Sequence, residues 1–233
     1  MRTAGLPVRS ALGTHLTDPA TLDAVPFTFG GAGVVLGRQP DGALATVPLF
    51  RPEPTSVFLL GSTALAQLVA FRSLAVGASV AVESRRPGPW PGFAHLAAGS
   101  SGTMALAEGP VRGSGTATAP LLVVRDPDPG PDQPAGPAGW TTTLTVVGQL
   151  TPANRDALSG ADLVLVQSAT LAEARAVASA LARPEAEQLV AALPEEDVGA
   201  VTRHGVRTWS SAPTSVERWL IGSVGRTPGS RRP

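Results

Sequence analysis

The most constraining feature of the sequence is a succession of three apolar stretches, the first two of which are separated by a turn that begins with glycine. Thr55–Leu60 is a brief apolar run that ends at Gly61, and it predicts a buried strand. Ala64–Val76 is rich in alanine and leucine and predicts a helix, and Ser79–Glu83 predicts a second strand. A strand, a helix and a strand within about 30 residues form a βαβ unit, which indicates a parallel sheet.

The flanking segments extend this unit into an α/β fold. Val34–Gly37 and Ala43–Leu49 flank a Pro-Asp-Gly turn, which predicts an N-terminal β-hairpin. Residues 85–120 have a weak pattern broken by proline and glycine, with one short strand. We therefore predict a mainly parallel sheet flanked by helices. Further strands are predicted at Met104–Ala107, Leu121–Val124, Thr141–Val147 and Ala161–Gln167. Further helices are predicted to begin at Thr151-Pro152 and at capping boxes in Thr170–Glu173 and Thr214–Glu217.

Three segments of the chain differ in their patterning. Residues 1–26 lack periodicity and predict a flexible N-terminal arm, whereas residues 27–222 carry the strand and helix signals of one α/β domain. Residues 223–233 predict a disordered tail. Within the domain, residues 128–139 are so rich in proline and glycine that they predict a loop.

Composition excludes several kinds of chemistry. All 18 basic residues are arginine, so a lysine Schiff base or a phosphate-binding lysine amine is excluded in cis. There is no cysteine, which excludes disulfides and thiolate zinc sites. The formal net charge of 0 gives no field that would attract nucleic acid. With no apolar run of membrane-span length and no signal-peptide pattern, we expect a soluble, cytoplasmic protein.

The turn at Gly61 lies where a phosphate-binding loop of the form G-x-x-x-x-G-K-[ST] would lie, between a strand and a helix. A working loop needs the second glycine for close backbone approach, the lysine for the phosphates and the hydroxyl for magnesium. Ala66, Gln67 and Leu68 stand at these three positions. The turn therefore predicts negligible ATP hydrolysis.

Four further segments follow one another in a recognisable order. The sequence Leu36-Gly37-Arg38-Gln39-Pro40-Asp41-Gly42 precedes the apolar strand. Leu121–Val124, followed after Arg125 by Asp126, is similar to a Walker B strand, which ends in acidic residues. Thr143–Gln149 is similar to a sensor strand that ends in glutamine, and Ala161–Thr170 leads into a helix with Glu173-Ala174-Arg175. From residue 34 to about residue 182 the chain resembles the motor domain of the FtsK/SpoIIIE family.

The resemblance implies a P-loop NTPase-like fold of RecA/FtsK type without the catalytic residues. The implied function is that of a pseudo-ATPase, not an enzyme, which serves as an accessory, assembly or regulatory module. By the same resemblance, the protein would work in an actinobacterial type VII (ESX-like) secretion system. Its partner would be an FtsK-type secretion ATPase or the substrates of one, and that partner would recruit it to the inner face of the membrane. The degenerate nucleotide site would comprise Gly61, Ser62, Thr63, Ala66, Gln67, Leu68, Asp126 and Gln149.

Two alternatives remain open at this point. One is an α/β enzyme whose substrate site is built from the Gly61 turn, Asp126 and Gln149. The other is a nucleotide-binding protein that does not hydrolyse, in which helix N-terminal amides after Gly61 attract ATP weakly. We expect no bound cofactor and no histidine metal site, since His15, His95 and His204 lack ligand spacing.

Among the remaining candidates, Trp219 on the terminal helix is predicted to contact a partner protein, since tryptophan is enriched in binding hot spots. Arg72, Arg85 and Arg86 are candidates to contact phosphates or a neighbouring subunit, but solvated surface arginines are commoner and we predict that reading. Neither a calcium loop at Asp126-Pro127-Asp128 nor a serine-hydrolase elbow is supported by the pattern.

Overall fold

The computed structural model describes residues 33–84, 88–99, 101–126 and 139–226. Its strands are β1 (Val34–Arg38), β2 (Leu44–Val47), β3 (Thr55–Leu60), β4 (Ser79–Ser84), β5 (Met104–Leu106), β6 (Leu121–Asp126), β7 (Thr141–Val147), β8 (Leu163–Val166), β9 (Asp197–Thr202) and β10 (Gly205–Ser210). Its helices are α1 (Thr63–Leu74), α2 (Pro89–Ala98), α3 (Arg155–Ser159), α4 (Leu171–Ala180), α5 (Glu185–Ala191) and α6 (Ser215–Ile221). A short 3-10 turn, Pro152–Asn154, precedes α3.

All ten strands form one sheet in the order β2-β1-β10-β9-β8-β3-β7-β6-β4-β5. The pairings from β8 through β5 are parallel, and those from β8 through β9, β10 and β1 to β2 are antiparallel. The predicted mixed α/β class, with a mainly parallel sheet flanked by helices and an N-terminal β-hairpin, is confirmed. The strand order of the parallel part differs from both common doubly wound orders, 3-2-1-4-5-6 and 2-1-3-4-5.

Helices cover both faces of the sheet, so alternate residues of the central strand β3 are buried on opposite sides. Val57 and Leu59 pack with α1, α2 and the start of the sheet's N-terminal hairpin, whereas Phe58 and Leu60 pack with α3, α4 and α5. A strand buried on both faces is expected to be continuously apolar, as Val57–Leu60 is. The sequence of β3 therefore accounts for its place at the centre of the sheet.

Helix α6 is fixed to α1 by a bidentate ion pair. Arg72 Nε lies 2.7 Å from Glu217 Oε1, and Arg72 Nη2 lies 2.9 Å from Glu217 Oε2. Both side chains are largely buried, so the prediction that Arg72 is a solvated surface arginine is wrong. Burial of the Glu217 carboxyl raises its pKa, but hydrogen bonds from Arg72 and Thr214 outweigh that effect and leave the pKa below its ordinary value.

The structure departs from the sequence-based expectation in three places. Residues 89–98 form α2, where the weak pattern predicted no helix, and residues 185–210 add α5 and the β9–β10 hairpin. Residues 223–226, predicted as part of a disordered tail, pack against the sheet with Val224 and Arg226 buried. The predicted arm at residues 1–26, Arg85 and Arg86, most of the loop at 128–139, and residues 227–233 lie outside the described residues.

No helix in the described part of the chain is both long enough and apolar enough to cross a membrane.

Candidate functional site

The turn between β3 and α1 contains two residues, Gly61 and Ser62, and α1 begins at Thr63. Ser62 is the N-cap of α1, and its Oγ accepts a hydrogen bond from Leu65 N at 3.1 Å. Gly61 does not have a positive φ, and a Cβ placed on it would first meet Leu59 Cδ1 at 3.1 Å. The turn is therefore an ordinary strand-to-helix connection with a serine cap.

The residues predicted to correspond to the second glycine, the lysine and the hydroxyl of a phosphate loop lie inside α1. Ala66, Gln67 and Leu68 are all buried. The Gln67 side chain donates through Nε2 to Pro89 O at 2.6 Å and so holds the start of α2. Because the helix begins directly after Ser62, no loop is left between strand and helix to wrap a phosphate with its backbone amides.

Asp126 lies at the end of β6 and is completely buried. Its Oδ2 accepts from Trp90 Nε1 at 2.7 Å and from Thr63 Oγ1 at 3.3 Å. The structure thus brings together two predicted site residues, Thr63 and Asp126, and adds Trp90 from α2. The Trp90–Asp126 hydrogen bond ties α2 to the carboxyl end of β6.

The predicted sensor glutamine, Gln149, lies beyond the end of β7 and its side chain is exposed. A different glutamine, Gln167, stands at the Ser62 turn. Gln167 is completely buried, and its Oε1 accepts from Ser62 Oγ at 3.0 Å and from Ser62 N at 3.3 Å. Gln167 directly follows the apolar strand β8, but Gln149 also follows an apolar strand, so the pairing of β8 with β3 is what distinguishes the two glutamines.

Residues of the C-terminal segment complete this cluster. Val224 O accepts from Gln167 Nε2 and lies 3.2 Å from Ser62 Oγ, whose single hydrogen it shares with Gln167 Oε1. Arg226 donates to Glu173 Oε1 at 2.7 Å and to Gly148 O at 2.9 Å. The space beyond the Gly61–Ser62 turn is thereby filled by the chain itself.

The negative charge of Glu173 is paired with the positive charge of Arg226 in this cluster. Burial raises the pKa of its carboxyl, but hydrogen bonds from Thr170, Arg226 and Leu150 and the positive charge of Arg226 lower it further than burial raises it. The net pKa of Glu173 lies below its ordinary value. The carboxylate is therefore ionised at neutral pH and pairs with the buried guanidinium at the same end of the sheet.

No protein-family model matches this chain, and no curated protein matches it either. Among solved structures, the chain is similar to the genome packaging NTPase of Sulfolobus turreted icosahedral virus 2. In its complex with AMPPCP the TM-score is 0.48 at 10% identity, over 69% of this chain and 99% of that chain. In its complex with sulfate the TM-score is 0.49 at 10% identity, over 69% and 98% of the two chains.

The chemistry of the cluster is that of hydrogen bonding and charge pairing. Within the described ranges, no group of three or more His, Asp or Glu side chains is arranged to hold a metal ion. His95 and His204 lie on α2 and on the β9–β10 turn, while His15 lies outside the described residues. The cluster consists of backbone carbonyls, one carboxylate, one guanidinium and one buried amide, which are bonded to one another.

The two glutamines give a direct check on this assignment. We expect Gln167→Leu to lower the free energy of unfolding by about 2–3 kcal/mol, because Ser62 N and Val224 O lose their buried partner. Gln149→Ala, at an exposed position, should change it by less than about 0.5 kcal/mol. Urea unfolding of both variants measures the difference, and equal effects would contradict the assignment of Gln167 to the cluster.

Proposed function

We propose that this chain is a non-hydrolysing relative of FtsK-like motor domains that works by binding another protein. The observation that carries the proposal is the contact of Val224 O with Ser62 Oγ and Gln167 Nε2, at the turn where such a motor holds phosphate. Two features support the proposal: the helix begins at Thr63, directly after the turn, and the Val224 carbonyl at the turn cannot donate to phosphate oxygens.

The absence of lysine supports the same proposal. A phosphate-binding lysine supplies a mobile positive charge to the β- and γ-phosphates, and the whole chain contains none. Gln67, at the predicted lysine position, is buried and bonded to Pro89 O. An arginine substituting for the lysine would have to reach the turn, and Arg226, the arginine of this cluster, already pairs with Glu173.

An ATP turnover assay tests the proposal. We expect the full-length chain with Mg²⁺ and ATP to show no turnover above a buffer control, and Gln67→Lys to remain inactive because position 67 faces α2 rather than the turn. A rate within about tenfold of the roughly 10 per second typical of enzymes would contradict the proposal. Restoration of turnover by Gln67→Lys would show that the turn opens into a working phosphate loop.

The partner-binding half of the proposal rests on the surface of α6. Trp219 is 73% exposed and Val216 is 59% exposed on this capped helix. Large aromatic side chains exposed on a rigid element are typical of binding hot spots. By resemblance, the partner is an FtsK-type ATPase of a type VII secretion system or one of its helical substrates, which would bring this chain to the membrane's inner face.

Capture from the native host tests that setting. We expect tagged wild-type chain, after gentle crosslinking, to recover an FtsK-type ATPase or small secreted helical proteins. The Trp219→Ser variant, which removes an exposed side chain and should keep the fold, is expected to recover at least about tenfold less, as a hot-spot loss of more than about 1.4 kcal/mol implies. Recovery of neither class, or equal recovery by the variant, counts against this partner and this surface.

A further inference from the structure

The chain crosses one end of its own sheet with residues 222–226, which we call the C-terminal strap. The strap leaves α6 at Gly222, whose φ is 82°, and runs over the Ser62 turn and the ends of β7 and β8. Val224 is 7% exposed and Arg226 is 5% exposed, whereas Ser223 between them and α6 is exposed.

The Arg226 guanidinium is enclosed by acceptors. It donates to Gly148 O at 2.9 Å through Nη2, to Gln167 O at 3.0 Å through Nη1, and to the Glu173 carboxylate at 2.7 Å. Ser168 O accepts a further hydrogen bond from Nη1 at 2.5 Å. Three backbone carbonyls and one carboxylate around a planar fork match a guanidinium, which has five N–H donors, better than a three-donor ammonium.

The strap is held in the manner of a bound peptide rather than as part of the sheet. In the part of the chain that the structure describes, no backbone N–H of residues 223–226 donates to a backbone carbonyl. Its attachment consists of the Val224 side chain in the core, the Val224 carbonyl at Ser62 and Gln167, and the Arg226 guanidinium. One apolar anchor, one carbonyl and one charged anchor are the elements of a short recognition motif.

The strap also lies where α/β sheets bind their ligands. Strands β3 and β8 are parallel neighbours, but α1 leaves β3 on one face and α4 leaves β8 on the other. The crevice outside the carboxyl ends of the strands at such a switch point is the usual ligand site of open α/β folds. In this protein Val224 and Arg226 occupy that crevice.

We infer that the crevice is a binding site for an extended, arginine-bearing peptide segment, and that the strap is its displaceable ligand in cis. This inference rests on the proposed function and gives the partner a chemistry: an apolar residue followed two positions later by arginine. Because the tethered strap competes at an effective concentration on the order of millimolar, a segment from another chain enters only when the strap is released.

The receptor half of the site should survive loss of the Arg226 side chain. In Arg226→Ala, Glu173 keeps hydrogen bonds from Thr170 N, Thr170 Oγ1 and Leu150 N. The carbonyls of Gly148, Gln167 and Ser168 belong to the sheet and its loops and stay in place. A free guanidinium segment can therefore fill the vacated position.

Peptide binding to the full-length variant tests the inference. The probe is a labelled synthetic peptide with the sequence of residues 221–226, and its control carries alanine in place of the arginine. We expect Arg226→Ala to bind the arginine peptide at least about tenfold more tightly than wild type does. The same variant should bind the alanine peptide at least about tenfold more weakly than it binds the arginine peptide. Tenfold corresponds to one charge-assisted contact of about 1.4 kcal/mol.

If Arg226→Ala shows no saturable binding of the arginine peptide at millimolar concentration, or binds both peptides alike, the crevice is not an arginine receptor. That result leaves the absence of ATP turnover untouched, whereas measured turnover would sink the proposed function without affecting peptide binding. The two failures are thus distinguishable.

A thiol-labelling experiment measures displaceability even where Arg226→Ala folds poorly. The chain has no cysteine, so Val224→Cys, Ser223→Cys and Val166→Cys each introduce a unique thiol: buried in the strap, exposed in the strap, and buried in β8. We expect the Val224→Cys thiol to react more slowly than the Ser223→Cys thiol and at least about tenfold faster than the Val166→Cys thiol. This order follows if the strap opens locally at a lower free energy than global unfolding requires. Equal rates for the two buried thiols mean that the strap leaves only on global unfolding, and they overturn the inference.

Discussion

Ser62 is the residue on which the rest of the site depends. Its side chain caps α1, its N–H and Oγ both meet the Gln167 amide, and its Oγ also reaches Val224 O. One serine therefore joins the first parallel strand, the helix that follows it, the neighbouring strand β8 and the C-terminal strap. A buried polar network is stable when every member is satisfied, and the amide of Gln167 satisfies both Ser62 and the strap.

This network explains why a fold with a mainly parallel sheet does not present an open phosphate site. A phosphate loop needs several residues between strand and helix whose amides point at the ligand, but here α1 starts at Thr63 and uses the Ser62 side chain as its cap. The Arg226 charge is matched within the fold by Glu173. Nucleotide binding would have to break a satisfied network without replacing its contacts, whereas a peptide that takes the strap's place would restore them.

Much of the fold follows from local patterns, and the exceptions have physical causes. The capping boxes at Thr170 and Thr214 place α4 and α6 correctly, because a cap is decided within a few residues. Helix α2 was not predicted because Pro89 and Pro91 are typical of loops, although proline is well suited to a first helical turn. The β9–β10 hairpin drew no prediction, and its place beside β8 depends on pairing that local sequence does not display.

The site was harder to predict than the fold. Gln149 and Gln167 both follow apolar strands, and only the position of β8 beside β3 decides that Gln167 is buried at the turn. Arg226 lies in a glycine-containing stretch that resembles a tail, and its partner Glu173 is 53 positions away. Contacts of this range are set by the completed sheet, so the residues that close the crevice carry no local signature.

The central claim is that the chain's own atoms occupy the place of a phosphate at the β3–α1 turn, and an amide NMR titration tests it most directly. On this account, Mg²⁺ and ATP added to isotopically labelled full-length chain leave the amide resonances of Ser62, Thr63 and Leu65 in place up to millimolar nucleotide. Saturable shifts confined to these amides and to Gln167 would contradict it, since they would show that nucleotide enters the turn and displaces the strap.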